Sequence, residues 1–203
     1  MKKVLPVGIA ALLLVVFALA CGDEEITEPD IHYRVLPTSP KQVLVNVAKA
    51  FNRRDANLLR AMLSENFVFY FDPADVGQTP PTGNFIIPES VGYTEFWLMA
   101  RNMLELAYDI QLDIPTGGVG NPEESAQTFR AENVTISILV MVDELNGYIA
   151  DRGYQNFEFE KYKGAEGHDY WRLTGWWDHS HDYFDDSVGA SPATFGRVLA
   201  LYR

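Results

Sequence analysis

The chain has 203 residues, 47% hydrophobic and 13% aromatic, with 16 basic against 28 acidic side chains and a formal charge of −12. That is ample apolar matter for a packed core, which excludes a disordered chain, and enough negative charge to repel a phosphate backbone, which excludes nucleic acid as a partner. The single cysteine excludes an internal disulfide framework.

The N-terminus opens on Lys2 and Lys3 and runs into an uncharged apolar stretch, residues 4–20, containing Pro6 and Gly8. A basic start followed by so short an apolar run reads as a secretory signal, because a spanning helix needs about 20 apolar residues and stop-transfer flanks. The stretch ends Phe17-Ala18-Leu19-Ala20-Cys21, with small Ala20 just before the only cysteine. These residues resemble the lipobox of bacterial lipoproteins. The resemblance implies cleavage before Cys21, a diacylglyceryl group on its thiol and acylation of the new N-terminus. Two or three acyl chains anchor a protein stably where one binds only marginally. Gly22 rather than Asp follows the cysteine, which by the same resemblance lacks the inner-membrane retention signal and points to the outer membrane, with the domain facing the periplasm. Residues 1–20 are therefore expected to be a signal peptide, 21–38 an acylated tether and 39–203 the folded domain. Losing Lys2 and Lys3 with the signal leaves 14 basic residues against 28 acidic, a formal charge of −14. Residues 22–38 are polar and acidic with two prolines, a linker able to span roughly 20–25 Å if flexible.

Ser39-Pro40 starts the domain as helices start, with an N-cap hydroxyl and a proline at the first helical position. Val43, Leu44, Val47 and Phe51 then recur at helical spacing. Asp55 is placed to cap a second short helix whose apolar side carries Leu58, Leu59, Met62 and Leu63. Residues 67–71, FVFYF, are aromatic and β-branched and stop at Asp72-Pro73, which predicts a strand. Residues 73–88 read as a loop. Residues 88–107 read as a helix, with Phe96, Met99, Met103 and Leu106 on one side. Residues 108–114 alternate, a strand with one wet face. Residues 116–125 read as a loop, including Gly117, Gly118 and Gly120. Residues 128–144 read as one long strand, with Val134, Ile136, Ile138, Val140 and Val142 sharing a face. Asn146-Gly147 is a turn signal. Residues 153–162 and 170–178 read as the two arms of a hairpin closed by residues 163–169, and Ser191-Pro192 as the start of a short helix bearing Phe195, Val198, Leu199 and Tyr202. Helices first and strands later make an α+β protein with segregated layers.

That order, with AFNRRDANLLRAMLSENFVFYFDP near the start, the hairpin FEFEKYKGAEGHDYWRLTGWWD near the end and Trp171-Arg172-Leu173 within it, resembles the nuclear transport factor two-like proteins. This superfamily is also called cystatin-like and includes ketosteroid isomerases, scytalone dehydratases and polyketide-cyclase-like proteins. The resemblance covers residues 39–178. It implies a cone: a strongly bent antiparallel sheet packed on three helices of the N-terminal half, plus, here, the short C-terminal helix. It implies a pocket at the open end, used by different members as an active site, a ligand cavity or a filled core, and a homodimer through the outer face of the sheet.

On the last strand, strict alternation puts Tyr170, Arg172, Thr174, Trp176 and Asp178 on one face and Trp171, Leu173, Gly175, Trp177 and His179 on the other. His179 and His181, two apart on an extended chain, could chelate a metal with an aspartate such as Asp72, but His32 and His168 lie in the tether and a hairpin loop and residues 179–189 equally suit a solvated loop; no metal is expected. Asp178, His179 or Asp72 could shuttle a proton, with Tyr70 or Tyr170 donating to an oxyanion, as isomerisation and dehydration require. The bland alternatives are a strand-ending turn for Asp72 and a structural partner of Arg172 or an indole for Asp178. Finally, the surplus of aromatics, with Tyr70, Trp97 and Trp176 foremost, suits an apolar small-molecule pocket. No phosphate loop, dinucleotide fingerprint or nucleophile elbow is present, so no cofactor is expected. The expectation is a membrane-anchored envelope protein acting as a non-enzymatic module that binds a small apolar ligand or an envelope protein; the alternative is a cofactor-free isomerase, dehydratase or cyclase-like enzyme.

Overall fold

The computed structural model describes residues 36–80, 85–151, 153–164, 167–180 and 191–203. The signal, the lipobox, Cys21, most of the tether and His181 lie outside the described residues. Among the described residues no helix is long and apolar enough to cross a membrane.

The first two helices form where cap chemistry says they should. Helix α1 is Pro40–Arg53 and helix α2 is Ala56–Met62. The Ser39 hydroxyl accepts the Gln42 N–H at 3.3 Å, and Asp55 Oδ1 accepts the Leu58 N–H at 2.8 Å. Arg54, in the left-handed conformation, ends α1. Val43, Leu44, Val47, Ala50 and Phe51 are buried along one face of α1.

Strand β1 is Leu63–Tyr70, four residues longer at its start than the aromatic run suggests. Residues 88–107 divide: β2, Ser90–Gly92, pairs with β1, and only then does helix α3, Tyr93–Leu106, begin. Strand β3 is Asp109–Asp113. The long strand expected over residues 128–144 is two strands in different sheets: β4, Thr128–Thr135, pairs with β7, while β5, Ser137–Met141, pairs with β3 and with β6, Gly147–Ala150. The chain crosses between sheets at Ile136. A register slip before Val134, with Asn133 at φ 54°, sets up the bend, as bulges do where a strand leaves one sheet for another. Strands β7, Tyr154–Lys163, and β8, Asp169–His179, form the hairpin. Ser191-Pro192 forms a short strand β9 rather than a helix start; helix α4 is Phe195–Ala200, capped by the Thr194 hydroxyl.

The protein is thus α+β, with a curved sheet, three helices in its N-terminal half and a short C-terminal helix. The sheet is mixed rather than wholly antiparallel. Five strands run in the order β2-β1-β8-β7-β4 and four in the order β3-β5-β6-β9, with β1 parallel to β8 and β6 parallel to β9.

A bulge in β8 decides which side chains enter the core. Phe159 opposes Leu173 but Glu158 opposes Gly175, so Thr174 is an extra residue. Past that point alternation reverses. Trp171 and Leu173 are buried, and so are Trp176 and Asp178. The expected grouping of Tyr170 and Arg172 with Trp176 and Asp178 is therefore broken.

Candidate functional site

The interior between sheet and helices is filled with aromatic rings. Phe51, Phe67, Phe69, Phe96, Phe157, Phe159, Trp176 and Phe195 are all essentially inaccessible. Phe195, delivered by α4, stacks on Trp176 with centroids 4.6 Å apart and planes 6° apart, and meets Phe69 and Phe51 edge-on. Trp176, read as a pocket residue, is therefore core. Trp97 is half-buried on α3 with the Arg60 guanidinium 6.0 Å from its ring, and is not among the residues lining the cleft described below.

Asp178 is fully buried at the end of β8 and holds α4 in place. Its Oδ1 accepts Gln155 Nε2 at 2.7 Å, the Ser180 N–H at 3.0 Å and the Ser180 hydroxyl; its Oδ2 accepts the Gly196 N–H at 2.6 Å. Gln155, also fully buried, takes the Trp176 indole N–H at 2.7 Å on its other end. Burial pushes the Asp178 carboxyl above its ordinary range, against the lowering effect of Ser180, Gln155 and the Gly196 N–H. Neither Arg172 nor an indole is its direct partner; the Arg172 guanidinium lies over Tyr170 and Tyr162. A second buried carboxylate grips the same helix: Asp75 accepts the Thr194 hydroxyl and pairs with Arg197 Nε at 3.2 Å. Asp72 is buried, and its Oδ1 accepts the Ala74 N–H at 2.9 Å, the strand-ending turn.

Tyr70 and Trp177 lie on the opposite, outer side of the sheet. They are cross-strand neighbours on parallel β1 and β8 and stack at 4.7 Å and 4°. The Arg130 guanidinium sits 4.8 Å from the Trp177 ring centroid. Next along β8, His179 stacks on Tyr154 at 4.7 Å with Nε2 3.2 Å from Asn156 Nδ2. His168 is exposed in its loop. Among the described residues no three His, Cys, Asp or Glu groups converge as a metal site. At the ends of β1 and β8 a cleft of about 430 Å³ opens, walled by Tyr70, Phe71, Val76 and Trp177, with Glu89 and His179 as its outward polar groups and Asp178 behind.

Trp177 can lie flat only because residue 175 is glycine. A Cβ there would come within 2.5 Å of the Trp177 ring and 3.3 Å of Glu158 Cβ. Gly175→Ala is expected to cost about 1–3 kcal/mol and to lift Trp177 off Tyr70. Urea unfolding and the ring-current shifts of Tyr70 check this; unchanged shifts would refute the packing argument.

Sequence reasoning grouped Tyr70 and Asp178 as candidates, whereas the sheet separates the Tyr70 ring from the Asp178 hydrogen-bond cluster. It missed Gln155, Ser180, Thr194, Asp75 and Arg197. Only Thr194, a helix N-cap residue, carried a readable signal.

No family model and no curated protein matches the chain. Solved structures of similar fold include a candidate scytalone dehydratase from Novosphingobium aromaticivorans (10% identity, TM-score 0.46, covering 68% of this chain and 78% of that one). They also include a conserved protein from Planctomyces limnophilus (14%, 0.44, 68% and 89%) and a nuclear transport factor two-like protein of unknown function from Cytophaga hutchinsonii (12%, 0.35, 71% and 90%).

Proposed function

We propose that this chain is a bacterial envelope lipoprotein, anchored through Cys21 and facing the periplasm from the outer membrane, whose nuclear transport factor two-like domain is a non-enzymatic binding or interaction module. The observation that carries the binding reading is the division of the domain's polar and aromatic groups. Asp178, the carboxylate an acid–base mechanism would use, has both oxygens engaged by the protein's own donors, and the interior around it is filled with rings. Among the described residues, an aromatic surface with room beside it lies at the outer cleft of Tyr70 and Trp177. The same outer face offers a surface to an envelope protein or a second copy of the chain, since stacked Tyr, Trp and Arg side chains are what protein interfaces favour.

The anchor has its own test. Full-length chain expressed in a two-membrane bacterium is expected in the membrane fraction, and Cys21→Ser in the soluble fraction, because the domain carries no other anchor in this reading. Retention of the Cys21→Ser chain in the membrane fraction would sink it.

A further inference from the structure

We propose that the cleft at the ends of β1 and β8 takes a small organic cation with an apolar body, such as a quaternary or protonated amine. The proposal rests on the reading of the domain as a binding module and adds the chemistry of the ligand.

The volume, about 430 Å³, falls in the range of small-molecule sites, roughly 300–1,000 Å³. Its walls are apolar and aromatic, and one of them, Val76, is 40% exposed with its apolar surface turned to solvent. Glu89 is the exposed carboxylate of its lining, and the Arg130 guanidinium over the Trp177 ring is paired with Glu132. No lysine or arginine is among the described residues that line the cleft, and the chain carries a formal charge of −12. The net negative charge disfavours an anion, whereas a cation would be drawn in and would find the Glu89 carboxylate beside the Tyr70 ring. The structure already shows a cation held this way, with the Arg130 guanidinium 4.8 Å from the Trp177 centroid. Arg130 is itself held by Glu132 at 3.2 Å, so it belongs to the frame of the site. Asp178 contributes wall, not recognition, because both its oxygens are engaged from within. Glu89 is then the charge that selects the ligand, while the stacked pair Tyr70–Trp177 provides the apolar contact.

The test uses the full-length protein in a non-ionic detergent, with choline as the cation and its neutral tert-butyl isostere as control, read by the shift of the Trp177 indole N–H, assigned with Trp177→Phe. Choline is expected to give a saturable shift at concentrations at least tenfold below the isostere. Glu89→Gln, an exposed substitution that leaves the fold alone, is expected to weaken choline roughly fivefold, the scale of a partly exposed charge pair, and to leave the isostere unchanged. Equal binding of choline and isostere would overturn the cation proposal while keeping the cleft as a binding site. No saturable response to either would overturn the proposal and remove the small-molecule arm of the binding reading, leaving protein interaction.

Discussion

Asp178→Ala is expected to lower unfolding free energy by about 2–6 kcal/mol, at about 1–3 kcal/mol for each of two buried N–H donors left without an acceptor. The reason is what stays behind. The Gly196 N–H in the first turn of α4 and the Ser180 N–H both lose their acceptor in a place water does not reach. Gln155 keeps the Ser180 hydroxyl, at 2.9 Å, and the Trp176 indole, so the damage concentrates on the junction between β8 and α4. Urea denaturation measures the loss; hydrogen exchange should show α4 losing protection first. A loss under about 1 kcal/mol would mean the carboxylate is not the clamp.

The same carboxylate makes a pH prediction whose sign follows from its raised pKa. The folded chain holds a proton on Asp178 at pH values where the unfolded chain has released it. Between the ordinary aspartate range and that raised value the folded state therefore binds more protons, and stability falls as pH rises through this window. Asp178→Asn cannot titrate, so the wild-type chain should gain stability relative to it on acidification towards the ordinary aspartate range. Parallel pH profiles would refute the assignment.

What was legible in the sequence is what local chemistry decides. Ser39-Pro40 and Asp55 mark helix starts because a cap is made within three residues. Strand periods marked β3, β7 and β8 because half-buried faces alternate. What was not legible depends on distant partners. The bulge at Thr174 arises from pairing with Glu158 and Phe159, and one inserted residue exchanged the faces of everything after it. The break at Ile136 separates strands whose apolar alternation runs on without interruption. Ser191-Pro192 and Thr194 both look like helix starts; Thr194 is the cap, with Asp75, 119 residues away, accepting a hydrogen bond from its hydroxyl.

The candidate site divides in the same way. Asp178 was conspicuous as an aspartate after two tryptophans, but its role is set by Gln155, 23 residues earlier, and Gly196, 18 residues later. Trp97 was open to a better reading: it follows Phe96, and with Phe96, Met99 and Met103 on the buried face of α3, its own side chain must point roughly a quarter turn away. Cleft and core were confused because aromatic residues serve both, and composition does not say which face of a sheet a ring occupies.

Phe195→Ala tests whether the interior is closed by α4. The ring is fully buried, stacked on Trp176 and touching Phe69 and Phe51, so truncation should cost about 3–5 kcal/mol through lost burial and the void left behind. Two structural responses are distinguishable. Gly196 is packed so closely that a Cβ there would come within 2.7 Å of the Phe71 ring, and Asp178 and Asp75 hold α4 by polar bonds that Phe195→Ala does not touch. The helix should therefore stay in place and leave an apolar cavity against Trp176, able to admit benzene or xenon as dry apolar cavities do. Phe195→Leu, which keeps much of the volume, should lose less and admit neither. If Phe195→Ala instead releases α4, seen as lost exchange protection at residues 195–200, the carboxylates are insufficient to hold the helix without the ring. If stability barely changes, the stacked pair is not what fills the interior, and an open pocket beneath α4, with the acid–base chemistry it would permit at Asp178, returns to consideration.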